Sequence, residues 1–173
     1  MIFFLLFSII YCQNILKNPS FEEVENNQVK NWKLESGVQL ITLDNNSGKK
    51  ALYWKQTNHS TTIYQTIQVE KGFQYEICAH FKVKNIPDIT KDGLTFGIDT
   101  FNKTNRFREV FASRSYNGNY DWKKACHITG IIKKPNNKTN NYYFCFYSVA
   151  KKNSTGEIFV DYASVRRINL ELE

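Results

Sequence analysis

Short apolar runs with a period of two dominate the chain from residue 38 onward. They are rich in β-branched and aromatic residues, and clusters of Asn, Gly, Lys and Asp separate them. This alternation is typical of half-buried β-strands, because successive side chains of a strand point to opposite faces. The candidate strands are 38–43, 51–56, 61–69, 73–83, 94–101, 107–112, 121–132, 142–150 and 157–168.

The arrangement of these strands follows from what lies between them. No segment keeps a helical apolar stripe for three turns, so no helices connect the strands as parallel pairing would require. The sheets should therefore be antiparallel. Two sheets packed face to face bury this many amphipathic strands, which predicts an all-β, two-sheet antiparallel β-sandwich of the jelly-roll kind.

The strand 73–83 shows most clearly which side chains face the core. Its odd-numbered residues are all apolar or aromatic, whereas the even-numbered ones are largely polar. Such alternation places the first set in the core and the second on the outer face of a sheet. If 73–83, 94–101 and 142–150 belong to one sheet, that outer face collects Glu76, His80, Asp99, Phe101, Tyr143 and Tyr147.

The first residues have the character of a secretory leader. Residues 1–12 contain a ten-residue apolar run, Ile2 to Tyr11, that is too short to span a bilayer. We therefore expect a signal peptide over 1–12, a single domain over 13–173, and a secreted product without a membrane span. Five N-x-S/T sequons are candidate glycosylation sites in exposed loops: Asn45, Asn58, Asn102, Asn137 and Asn153.

Removal of the leader leaves three cysteines, Cys78, Cys126 and Cys145. An oxidising compartment allows one disulfide and one free thiol, and three pairings are possible. Cys78 and Cys145 share the outer face predicted above, which favours a bridge between them.

Charge and motifs limit the classes of function. The net charge of +7 comes from dispersed lysines, so it indicates a solvated basic surface or, alternatively, attraction to an acidic polysaccharide or cell surface. Secretion and this dispersion argue against nucleic-acid binding. No G-x-S-x-G, H-E-x-x-H or phosphate-binding loop is present, so we expect no enzyme activity.

Several separated pieces resemble carbohydrate-binding modules of the family four and family nine type, which are galactose-binding-like jelly rolls. They are "NILKNPSFEE" (14–23), "W" (32), "SGKKALYW" (47–54), "IYQTIQVEKGFQYEICAHFKV" (63–83), "DWKKACHI" (121–128) and "GEIFVDYASVRRI" (156–168). The resemblance implies a non-catalytic module that recognises a polysaccharide or glycan and is commonly associated with glycoside hydrolases. A protein-binding or structural module without sugar binding is the alternative, and part of a secreted hydrolase system is a minor one.

The resemblance also implies a structural Ca²⁺ that joins the N-terminal turn to the last strand. Glu22 and Asp161 would supply carboxylates, and Ser20, Gly48 and Ala51 backbone carbonyls. Calcium prefers such oxygen ligands. Alternatively, Asp161 hydrogen-bonds the N-terminal turn without metal.

Sugar recognition in this family resembles an aromatic platform flanked by polar groups. Carried over, Phe101, Tyr143 and Tyr147 supply the rings, and Glu76, His80 and Asp99 bind hydroxyl groups. The loop tryptophan of many relatives is missing, and His59, which stands in that loop, is the candidate sugar-binding residue there.

Overall fold

The computed structural model describes residues 13–43, 49–56, 60–87, 93–101, 107–132, 141–149 and 156–168. These residues form strands, turns and bends and contain no helix, which confirms the all-β prediction. In particular, they include no helix that is long and apolar enough to cross a membrane. The strands are β1 Val24–Glu25, β2 Gln28–Val29, β3 Lys33–Leu34, β4 Gln39–Thr42, β5 Lys50–Lys55, β6 Thr61–Ile67, β7 Gln74–Ile86, β8 Gly93–Phe101, β9 Phe107–Ala112, β10 Gly118–Ile128, β11 Tyr142–Val149 and β12 Glu157–Ile168.

The strands form two five-stranded sheets and a two-stranded ribbon. The first sheet has the order β10-β7-β12-β5-β4, the second sheet has the order β3-β6-β11-β8-β9, and β1 pairs with β2. Every pairing is antiparallel. The nine strands predicted from alternation are present, with ends shifted by a few residues, and the three two-residue strands were not predicted.

The core between the sheets confirms the predicted strand faces. Phe81 of the first sheet and Phe96 of the second are fully buried, with ring centroids 6.3 Å apart. Trp54 is also buried, and its indole N–H donates a hydrogen bond to Ser148 Oγ at 2.8 Å. The aromatic residues on the apolar parity therefore hold the two sheets together.

The prediction that β7, β8 and β11 share one sheet is wrong. β7 lies between β10 and β12 in the first sheet, whereas β11 lies between β6 and β8 in the second. The alternation within a strand reports which of its faces is buried, and it is the same whichever sheet the strand joins. The predicted binding residues are therefore divided between two opposite outer faces.

The predicted Cys78–Cys145 bridge is wrong for the same reason. Cys78 of β7 is disulfide-bonded to Cys126, which is its register partner in the neighbouring strand β10. Cys145 is a buried free thiol in β11 of the second sheet. The hydrophobic core separates it from the other two cysteines.

The N-terminal segment extends the first sheet beside β12. β5 pairs with β12 over Glu157–Val160, and the register is irregular between Val160 and Tyr162. Beyond this point the N-terminal segment replaces β5 as the pairing partner of β12. Ala163 N donates to Pro19 O, and Ile15 N donates to Val165 O, both at 2.9 Å. Asp161 thus lies where two pairing partners of β12 meet.

Phe21 anchors this segment in the core. Its side chain is 0% exposed and meets Trp32 edge to face, with centroids 5.1 Å apart. Its φ of 63° lies in the left-handed region, which costs a non-glycine residue roughly 1–2 kcal/mol. Burial of a large aromatic ring is worth more than that cost, so packing holds the strained turn in place.

Candidate functional site

Three tyrosines lie together on the outer face of the second sheet. Tyr64 belongs to β6, and Tyr143 and Tyr147 belong to β11; all three are half-buried. The rings of Tyr64 and Tyr143 pack edge to face, with centroids 5.6 Å apart and an interplanar angle of 85°. We call this surface the tyrosine face, and it comprises Thr62, Tyr64, Thr66, Thr95, Asp99, Tyr143, Cys145 and Tyr147.

Two short side chains form the floor of the tyrosine face. Asp99 is the register partner of Tyr143, and Cys145 lies midway between Tyr143 and Tyr147 along β11. Asp99 is 1% exposed and Cys145 is 0% exposed. Burial, together with the charge of Asp99 and a hydrogen bond to it, raises the pKa of the Cys145 thiol. The thiol therefore stays protonated near neutral pH and acts as a packed, unreactive group.

Gly97 allows the edge of this sheet to close. It is the register partner of Cys145 on one side and of Ala112 on the other. A Cβ at this position would overlap the carbonyl oxygen of Phe111. Only glycine lets β9 approach β8 this closely beside the tyrosine face.

The predicted sugar-binding residues are thus only partly brought together. Asp99, Tyr143 and Tyr147 share the tyrosine face, as expected. Phe101 ends β8, but its side chain and the whole of His59 lie outside the described residues. Tyr64 was missed, although the alternation T-I-Y-Q-T in 62–66 places it on the outer parity with two threonines.

Glu76 and His80 lie on the outer face of the first sheet instead. His80 Nδ1 is 2.6 Å from Asp161 Oδ1, and its ring stacks on Trp122 with centroids 5.1 Å apart at 24°. His80 therefore orients a residue that was predicted to bind metal. His80 and the tyrosines lie on opposite outer faces of the sandwich, with both sheets between them.

Three of the five predicted calcium residues line a cavity of about 530 Å³ at the irregularity in β12. Ser20, Glu22 and Asp161 line this clasp cavity together with His80. Ala51 of β5 is fully buried and does not line the cavity, and Gly48 is outside the described residues. The structure therefore brings the two carboxylates to one place, and calcium itself stays a prediction.

Basic groups share the clasp cavity with the carboxylates. The backbone N–H of Lys50 donates to Glu22 Oε1 at 2.8 Å, and its ammonium donates to the Glu22 carbonyl at 3.1 Å. Lys49 and Lys124 also line the cavity. Carboxylate and carbonyl oxygens fit calcium in kind, and the nearby cations offer a second way to balance the two acids.

One further cluster of potential ligands needs no metal. Within the described ranges, the one group of three that is close enough to bind an ion is Glu76, Cys78 and Cys126. Both of its sulfur atoms are used in the disulfide. The five predicted glycosylation sites, Asn45, Asn58, Asn102, Asn137 and Asn153, all lie outside the described residues.

No protein-family profile matches the chain, and no curated protein matches its sequence. Solved structures do match its fold. A family 16 carbohydrate-binding module superposes with a TM-score of 0.63 at 13% identity, over 88% of this chain and 99% of that one. A family 61 module in complex with beta-1,4-galactotriose superposes with a TM-score of 0.54 at 14% identity, over 90% of this chain and 99% of that one.

A third match is the CBM22-1 xylan-binding domain of Paenibacillus barcinonensis Xyn10C. It gives a TM-score of 0.58 at 15% identity, over 91% of this chain and 96% of that domain. The chain therefore has the jelly-roll β-sandwich fold found in carbohydrate-binding modules. The narrower likeness to families four and nine stays a prediction.

Proposed function

We propose that this chain is a secreted, non-catalytic carbohydrate-binding protein, similar to modules of families four and nine, whose ligand lies on the tyrosine face. The observation that carries the proposal is the grouping of Tyr64, Tyr143 and Tyr147 on one outer sheet surface. The fold supports it by likeness to sugar-binding modules, although a fold alone does not fix a function.

The chemistry of this surface suits a glycan. Half-buried tyrosine rings present apolar area against which the C–H groups of a pyranose can pack. Hydroxyl groups of Tyr64, Tyr143 and the exposed Thr66 can bind sugar hydroxyls. The Tyr147 hydroxyl and the Asp99 carboxylate are buried, so they support this surface from below. An apolar platform with a few placed polar groups is the usual composition of a ligand site.

The predicted Cys78–Cys145 bridge would have crossed the binding face and so favoured the alternative, a jelly roll that binds a protein and no sugar. The disulfide instead joins β7 to β10 on the first sheet, away from the tyrosine face. The outer surface of β11 is thus not covalently tied to another strand.

The proposal is tested with a glycan array followed by titration of the best ligand. Tyr143→Ala and Tyr147→Ala should each weaken binding at least about fivefold, because each removes an aromatic contact worth roughly 1 kcal/mol or more. Phe159→Ala is the matched control, since Phe159 is a half-buried ring on the opposite sheet. Binding to no glycan, or an equal loss in all three variants, would contradict the proposal.

Calcium in the clasp cavity is a separate part of this proposal. Ser20, Glu22 and Asp161 support it by lining one cavity. The ion would tie the N-terminal segment to β5 and β12, so its role would be structural. It would lie on the first sheet, remote from the tyrosines.

A further inference from the structure

A second cavity, of about 540 Å³, opens between the β1–β2 ribbon and the edge of the second sheet. We call it the ribbon cavity. One side is formed by Asn26 and Gln28 of the ribbon, and the other by Lys33 of β3 and Thr66 of β6. Its size lies within the range of small-molecule sites and would accommodate a sugar unit.

The ribbon cavity is continuous with the tyrosine face. Thr66 is the register partner of Tyr143, and Lys33 is the register partner of Tyr64. Adjacent strands lie ~4.8 Å apart, so one strand spacing separates these cavity residues from the tyrosines. A glycan chain on the tyrosine face can therefore extend into the cavity.

The wall of the cavity is well supported. Gln65 is 3% exposed; its side-chain amide N–H donates to the Lys17 carbonyl at 2.8 Å, and its Oε1 accepts from Lys17 N at 2.7 Å. The indole N–H of Trp32 donates to Asn18 O at 3.0 Å. The backbone that carries Lys17 and the ring that forms the wall are thus held in place.

The charge of the lining is positive. Among the described residues of the cavity, Lys17, Lys30 and Lys33 are basic and Glu25 is acidic. Lys30 lies 3.8 Å from Glu23, but both side chains are at least half exposed, so this pair is weak. The remaining polar lining consists mainly of amides, which can donate hydrogen bonds to hydroxyl or anionic oxygens.

We propose that the ribbon cavity is a subsite for an anionic sugar unit, so that the ligand is a polysaccharide carrying carboxylate or sulfate groups. The inference rests on the proposed function of the tyrosine face and adds the charge of the ligand to it. The apolar C–H faces of the sugar rings pack on the tyrosines, and Lys17 and Lys33 bind the anionic group. Charge-assisted hydrogen bonds of this kind are the stronger ones.

The experiment compares each anionic polymer with its neutral counterpart. Polygalacturonate and alginate are titrated beside their carboxyl-reduced forms, and dextran sulfate is titrated beside dextran. The parent protein should prefer one of the anionic classes by roughly tenfold or more, the size expected from a hydrogen bond to a charged group. That preference should fall as salt increases.

Variants assign the preference to the cavity. Lys17→Gln with Lys33→Gln should abolish the preference while retaining binding of the neutral form. The control is Lys55→Gln with Lys84→Gln on the outer face of the first sheet, which makes the same charge change. This control variant should retain the preference for the anionic polymer.

Failure of this inference can be told from failure of the proposed function. Equal binding of anionic and neutral polymers, lost in Tyr143→Ala, would overturn the inference and leave the tyrosine face as a neutral sugar site. An equal loss in the two lysine pairs would also overturn it, since a general charge effect would then explain the preference. Binding of no polymer or array glycan would overturn both.

Discussion

Tyr64 meets Tyr143 edge to face across β6 and β11, with ring centroids 5.6 Å apart. Such a pair is worth ~0.5–1.5 kcal/mol beyond the area it buries, so Tyr64 should hold the Tyr143 ring in position. We expect Tyr64→Ala to weaken glycan binding at least about threefold and Tyr64→Phe to retain most of it. Tyr53→Ala, which removes a ring 4.9 Å from Phe159 on the other sheet, is the control for titration. Equal effects of Tyr64→Ala and Tyr53→Ala would contradict this role.

Phe21 should contribute strongly to stability. Phe21→Ala empties a fully buried site beside Trp32, so we expect a loss of about 3–5 kcal/mol in the free energy of unfolding, measured by denaturant titration. Val24→Ala, at a 42% exposed position nearby, should cost less than about 1 kcal/mol. A loss below about 1 kcal/mol in Phe21→Ala would mean that the N-terminal segment is not packed as described.

The disulfide can be mapped directly. Non-reducing proteolysis and mass spectrometry should yield a peptide pair that joins Cys78 to Cys126, and Cys145→Ser should leave that pair intact. Cys78→Ser and Cys126→Ser should each lower stability by roughly 2–4 kcal/mol. A cross-linked peptide that contains Cys145 would contradict the strand order.

Cys145 should make the fold sensitive to alkaline pH. Burial and Asp99 raise its pKa in the folded protein above the ordinary value of 9.0. The folded state therefore holds the proton more tightly than the unfolded state, so this stabilisation is complete below pH 9.0 and declines as pH rises above it. The slope is ~1.4 kcal/mol per pH unit at most.

Cys145→Ala separates this effect from other groups. Burial also raises the pKa values of Tyr75 and Tyr142, but their ordinary value is 10.0, so the thiol acts first. Denaturant titrations between pH 8 and pH 10 should show that the free energy of unfolding of the parent declines as pH rises. The same decline should be less steep in Cys145→Ala. Identical slopes would show that the thiol does not titrate on unfolding.

Calcium should raise the melting temperature if it occupies the clasp cavity. A ligand that binds only the folded state stabilises it, and the rise should disappear with a chelator and in Asp161→Asn or Glu22→Gln. Asp121→Asn changes an exposed acid on the same sheet and should keep the calcium response. Absence of any rise in the parent would leave the Lys50 ammonium and the hydrogen bond between His80 and Asp161 as the contacts that satisfy this site.

The individual strands were predictable because alternation is a local property. The buried parity of β7 and the inward Phe144 and Phe146 followed from the order of residues alone. The approach of "NPSFEE" to "GEIFVDYASV" followed from the family resemblance, and the shared cavity of Glu22 and Asp161 is consistent with it.

The composition of the candidate site could be predicted only in part. Asp99, Tyr143 and Tyr147 share one face because β8 and β11 are neighbours, which was assumed correctly. Glu76 and His80 do not share this face, because β7 belongs to the first sheet. Gly97 was not recognised as a close approach, since the carbonyl it accommodates comes from a different strand.

The sequence by itself determined which segments are strands and which side of each strand is buried. Successive side chains of a strand point to opposite faces, so the local alternation of apolar and polar residues is enough to show this. Only the tertiary structure decided the sheet of each strand, the Cys78–Cys126 pairing and the grouping of Tyr64 with Tyr143. These depend on hydrogen-bond partners that are distant in sequence, and many pairings satisfy the same alternation. Packing of the whole core selects one of them.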